Sequence, residues 1–216
     1  MKKKLMILLG MITVIACIGL TACGGSDAEA EEPATEPETE AEEFVEVESI
    51  DGNVYGYAGE DPVEATVYEY VATELAGQFD VEEGMVSIPT VTVIDKIENE
   101  DGSFDVLGDF WIDNYTIEGD TLMNQSGGNF PGKMHVVIDG GTYKVESFEQ
   151  VGDGDQFEPT AKEIFGDKYD AFMEINSDSE AREALRAETV ATFVKAKNLE
   201  VTKYQDYGWD PVELEL

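Results

Sequence analysis

Basic residues are scarce. The 216-residue chain has 13 Lys and Arg against 48 Asp and Glu, a formal charge of −35. A surface this acidic repels phosphate backbones and anionic headgroups, which excludes nucleic-acid binding and electrostatic docking on anionic lipid. Histidine occurs once, as His135, so no histidine cluster is available for a metal. Two cysteines, Cys17 and Cys23, cannot form the disulfide framework of a small secreted domain. The nucleotide-binding motifs G-x-x-x-x-G-K-[ST] and G-x-G-x-x-G are absent. So are the G-x-S-x-G, H-E-x-x-H and S-x-x-K patterns of hydrolases.

What is present begins with a targeting segment. Lys2, Lys3 and Lys4 precede an uncharged, mainly apolar run from Leu5 to Ala22. The order of positive end, apolar run and small residues is that of an export signal. The stretch Leu20-Thr21-Ala22-Cys23 resembles the lipobox of bacterial lipoproteins. The resemblance implies diacylglycerol on Cys23 and cleavage of the Ala22–Cys23 bond. A signal cut elsewhere, or an uncleaved anchor, are the alternatives. A lipidated Cys23 leaves the mature chain without a free thiol, which excludes thiol catalysis and thiolate metal sites.

Residues 23–49 read as a disordered acidic linker. Eleven acidic residues and no Lys or Arg fall between positions 24 and 48, with Pro33 and Pro37 opposing helix. Such a chain spans from ~28 Å as a coil to ~80 Å extended. Residues 50–216 read as a single α+β domain. Residues 49–216 carry 10 Lys and Arg and 37 Asp and Glu, a charge of −27. The acidity therefore belongs to the domain as well as to the linker, and favours cationic ligands over anionic ones.

Asp61-Pro62 predicts a helix start with Glu64 as a capping-box partner, and Gly77 predicts its stop. Met85–Ile97 predicts a strand with a bulge or edge position at Pro89. Asn99–Gly102 predicts a hairpin turn. Along 103–114, Phe104, Val106, Phe110 and Ile112 share one face, and Asp105, Leu107, Asp109, Trp111 and Asp113 the other. Asn124–Pro131 has the composition of a loop. Strands are expected at 133–139 and 142–151 around Gly140-Gly141, followed by short helices and a long one from Ser179 to Asn198 capped at Ser177. Together these predict a curved antiparallel sheet with helices packed on one face. The element order resembles the NTF2-like and cystatin-like cone folds.

Candidate site residues are few. His135, Trp111, Tyr207 and Trp209 are pocket candidates. Asp153, Asp155 and Glu158 are candidate Ca²⁺ ligands, although their spacing departs from the EF-hand pattern. Asp109 and Asp113, ~13 Å apart along a strand, are too distant to act as a glycosidase pair and read as a solvated face. The expected protein is a non-catalytic lipoprotein at the extracytoplasmic face of the membrane, binding an unidentified small molecule or surface protein. The alternatives are an NTF2-like cavity enzyme using His135 with a carboxylate, and a regulatory domain acting on a membrane protein.

Overall fold

A computed structural model describes residues 4–6 and 46–216. The stretch that resembles a lipobox, with Cys23, and most of the stretch read as an acidic linker lie outside the described residues. The fold is α+β, as expected. Its centre is a long hairpin, β3 (Val86–Glu98) and β4 (Phe104–Glu118), turning at Gly102, whose φ is 80°. On its other side β4 is shared by two strands. Its first half pairs with β6 (Gly132–Asp139) and its second half with β5 (Thr121–Asn129). Strand β7 (Thr142–Gln150) continues the sheet beyond β6.

Short strands complete both ends. Beyond β7 come β2 (Glu46–Glu48) and then β1 (Lys4–Met6), and beyond β5 come β8 (Lys203–Gln205) and β9 (Val212–Glu213). The β2–β7 and β5–β8 pairs are parallel, so the sheet is mixed. Strand β1 lies within the stretch read as the export signal. Val47 is buried in the core, so the domain starts at β2, a few residues before the expected boundary at residue 50.

Four helices cover the sheet: α1 (Pro62–Tyr70), α2 (Phe157–Phe165), α3 (Tyr169–Ser177) and α4 (Ser179–Lys197). Asp61 caps α1, its Oδ1 accepting from the amides of Val63 and Glu64 at 2.9 and 3.2 Å. Glu64 does not close the expected capping box. The Tyr57 hydroxyl takes that place, accepting from the Asp61 amide and donating to Glu64. After α1 the chain continues through a wider π-type turn to Leu75 and a tighter turn to Gln78. The N-cap of α4 is Asp178, not Ser177, whose hydroxyl bonds back to the Glu174 carbonyl.

The β4 alternation sorts the helices. Val63, Val67 and Val71 pack with Val106, Phe110 and Ile112, the even-numbered residues of β4. Helices α2 and α3 pack around Leu107, and α4 around Tyr115, both odd-numbered. Three helices therefore share the second face, and α1 takes the first. Of the two expectations for Pro89, the edge position holds: among the described residues β3 pairs only with β4, and its bulge lies at Val93–Asp95 instead. Residues 124–129, expected as loop, extend β5. Pairing with β4 overrides their poor strand propensity, and a bulge at Gln125 absorbs the irregularity.

Candidate functional site

The odd-numbered face of β4 carries Asp109, Trp111, Asp113 and Tyr115 beneath α3 and α4. This face was expected to be solvated. Instead Asp109 and Asp113 are 3% and 9% exposed. A carboxylate survives burial only with partners. Asp109 accepts from the Trp111 indole at 3.1 Å and from Asn129 Nδ2. Asp113 lies 3.1 Å from Arg186 Nε and accepts from Asn124 Nδ2 at 3.0 Å.

Arg186 is the hub. It sits on the inward face of α4, one turn before Val190, and its side chain is 7% exposed. Its Nε donates to the Tyr115 hydroxyl at 2.9 Å, and its two Nη groups bind Asp206 at 2.8 and 2.7 Å. Nη1 also reaches Glu183 at 3.3 Å. The guanidinium stacks over Tyr204, 4.8 Å from the ring centroid. Burial alone would lower the Arg186 pKa. The hydrogen bonds to Asp206 and the proximity of Tyr115 and Asp113 outweigh it and hold the pKa above its ordinary value.

The two carboxyls respond oppositely. Hydrogen bonding to Arg186 holds Asp206 below the usual carboxylate range. Burial pushes Asp113 up to about 6, against the pull of Arg186 and the hydrogen bond from Asn124. The difference follows from geometry: Asp206 holds the two-pronged end of the guanidinium and is partly hydrated, whereas Asp113 shares Nε with Tyr115 in a drier position.

Between α4 and the sheet these residues line a partly open cavity of about 220 Å³. Thr90, Trp111 and Arg182 complete its wall. Two atoms of the lining residues, Thr90 Oγ1 and Asn124 Oδ1, are buried without a hydrogen-bond partner among the described residues. Each such group costs about 1–3 kcal/mol, so each calls for an explanation.

The residues expected from the sequence disperse. Trp111 lines the cavity. His135 does not: its Nδ1 lies 2.7 Å from Asp105 Oδ1, a half-buried cross-strand pair between β6 and β4. Tyr207 and Trp209 were expected to close a pocket, yet they are 94% and 75% exposed, because the chain turns outward after β8 and Tyr204 alone reaches the core. Asp153, Asp155 and Glu158 are all exposed, and Glu158 is engaged by Lys162. Among the described residues no group of three or more His, Cys, Asp or Glu side chains is arranged to hold a metal ion.

Thr90, Asn124, Arg182, Arg186 and Asp206 were missed. A signal existed for Arg186. It precedes Val190, Phe193 and Val194 at spacings of 4, 7 and 8, the apolar stripe of α4. A charge within such a stripe marks a buried ion pair. No protein-family model, curated protein or solved structure matches the chain.

Proposed function

We propose that the protein is a lipid-anchored surface lipoprotein whose α+β domain binds a small polar ligand in the Arg186 cavity. The lipobox supports the anchor. The observation that carries the binding reading is the pair of buried groups, Thr90 Oγ1 and Asn124 Oδ1, unpartnered among the described residues, on two of the residues that line the cavity. A ligand that bonds to them recovers part of the cost of burying them. The acidic linker sets this domain off from the membrane surface.

The catalytic alternative has one of its two requirements. His135 is within hydrogen-bond reach of Asp105, but neither residue lines this cavity or the two larger surface clefts. Binding is therefore the better-supported reading.

Two experiments test the proposal. Cys23→Ala, or globomycin treatment, releases or mislocalises the protein; unchanged membrane fractionation overturns the anchor. Thermal scans of the full chain with zwitterionic, amine, carboxylate and neutral polyol compounds test the cavity. Binding is expected from at least one class and lost in Thr90→Val. No shift from any class removes the binding reading.

A further inference from the structure

Eleven of the 13 basic residues are lysines, and the two arginines are Arg182 and Arg186. Both project from α4, one turn apart, and both line the same cavity. A guanidinium offers a planar, directional fork of donors that an ammonium does not. The chain has arginine only where such a fork meets this cavity.

The two forks are used differently. Arg186 spends its donors inside the protein on Tyr115, Asp113, Glu183 and Asp206. Arg182 does not. The centre of its guanidinium lies over the Trp111 ring, 4.4 Å from the centroid. Its nearest carboxylate, Glu183 Oε1, is 3.8 Å from Nε, beyond hydrogen-bond distance. The Trp111 ring thus holds a guanidinium whose Nη donors have no hydrogen-bond partner among the described residues and can serve a ligand.

Other residues of the lining can accept. Asn124 Nδ2 donates to Asp113 Oδ1 and Asp206 Oδ1 at 3.0 and 2.8 Å. Those two carboxylates fix the amide orientation, so the unpartnered Asn124 Oδ1 can only accept. Thr90 adds a hydroxyl that one χ1 rotation re-aims. The lining holds two guanidinium groups and three carboxyls, a formal charge of −1. A simple anion meets the field of a strongly acidic domain, and a simple cation meets Arg182. A molecule carrying both charges satisfies both ends. The volume, about 220 Å³, is below the ~300–1,000 Å³ of pockets for drug-sized ligands and suits a compound of amino-acid size.

We propose that this cavity binds a small zwitterion of the α-amino-acid type, with its carboxylate on Arg182 and its ammonium among Asn124, Thr90 and Asp113. The inference rests on the ligand-binding reading above and names its ligand class.

The test is a thermal scan and titration calorimetry of the full chain with L-alanine, L-serine and L-glutamine. Ethylamine, propionate and glycerol serve as single-function controls. At ~10 mM, above a millimolar Kd, at least one amino acid should raise Tm by about 2–4 °C while ethylamine and propionate leave it unchanged. Arg182→Gln should weaken that binding about tenfold or more, and Thr90→Val should abolish the shift. Both changes are small enough to keep the fold, which the unliganded Tm of each variant verifies. An equal response to ethylamine or propionate alone overturns the zwitterion, as does binding indifferent to Arg182→Gln. A response to glycerol alone, lost in Thr90→Val, overturns the ligand class while the cavity reading stands. No response to any of the six overturns the zwitterion, and the binding reading falls with it only if the wider compound classes also fail.

Discussion

Arg186 grips Asp206 through two parallel hydrogen bonds, Nη1 to Oδ2 at 2.8 Å and Nη2 to Oδ1 at 2.7 Å. The pair joins α4 to the segment just after β8. Because Nε of the same guanidinium reaches Tyr115 and Asp113 on β4, one side chain ties three parts of the chain together. The cavity stands on that tie.

Arg186→Met should therefore be strongly destabilising. It leaves Asp113 buried and Asp206 half-buried without their cation. Removing one partner of a buried pair costs about 3–5 kcal/mol, and the partial hydration of Asp206 favours the lower end. Urea unfolding of the variant against wild type measures it; a loss below ~1 kcal/mol would show that the pair is no more than a surface contact.

Asp113 should give stability a distinct pH dependence. Its carboxyl rises from 3.8 to about 6 on folding, so the folded state favours the protonated form. This contribution is complete below the unfolded value and is lost as pH rises through about 6. Asp206, whose pKa is lowered, acts with the opposite sign, in more acid solution. Asp113→Asn removes the first effect alone. Its stability relative to wild type should climb by about 2–3 kcal/mol between roughly pH 4 and pH 7. A flat difference across that range would contradict the raised pKa.

Thr90→Val should stabilise the unliganded protein by up to about 1 kcal/mol. The hydroxyl is buried without a partner, valine has nearly the same shape, and β3 favours a β-branched residue. A clear loss in the denaturation midpoint would mean that the hydroxyl makes an interaction in the unliganded state.

Gly127→Ala should act on the cavity from behind. A Cβ there would stand 2.6 Å from the Ile112 carbonyl oxygen and 2.7 Å from Asp113 Oδ1. The backbone of β4 has little room to retreat, so overpacking of about 1–3 kcal/mol is expected. Gly119→Ala provides the contrast, since its Cβ meets no atom within 4 Å. Its cost should come only from the positive φ of 63°, about 1 kcal/mol.

His135→Ala should be nearly silent in stability, within about 1 kcal/mol, because the His135–Asp105 pair is nearly a third exposed on both sides. A larger loss in thermal denaturation would mean that the pair anchors β6 to β4.

Much of the local structure was legible in the residues. Asp61-Pro62 starts α1 as a cap and first helical residue must. The positive φ angles at Gly102, Gly140 and Gly141 fall where the hairpin turns were expected. The β4 alternation also separates Phe110 and Ile112 from Asp109 and Asp113 correctly. Asn124–Asn129 was not legible, because its strand character comes from pairing with β4 and not from composition. The cavity was not legible either. Its acidic members resemble any of the many solvated carboxylates of this chain.

The sequence alone determined most of the segment types, the turn positions and the strongly anionic composition of the domain. Each depends on neighbouring residues or on composition. Only the tertiary structure decided that the polar face of β4 lies beneath α3 and α4. Alternation shows that two faces of a strand differ, not whether the polar one meets water or protein. Burial of Asp113 is tolerable because Arg186 arrives from another element, reaching Tyr115 across 71 positions of the chain. A contact at that separation is formed by the packing of the whole domain.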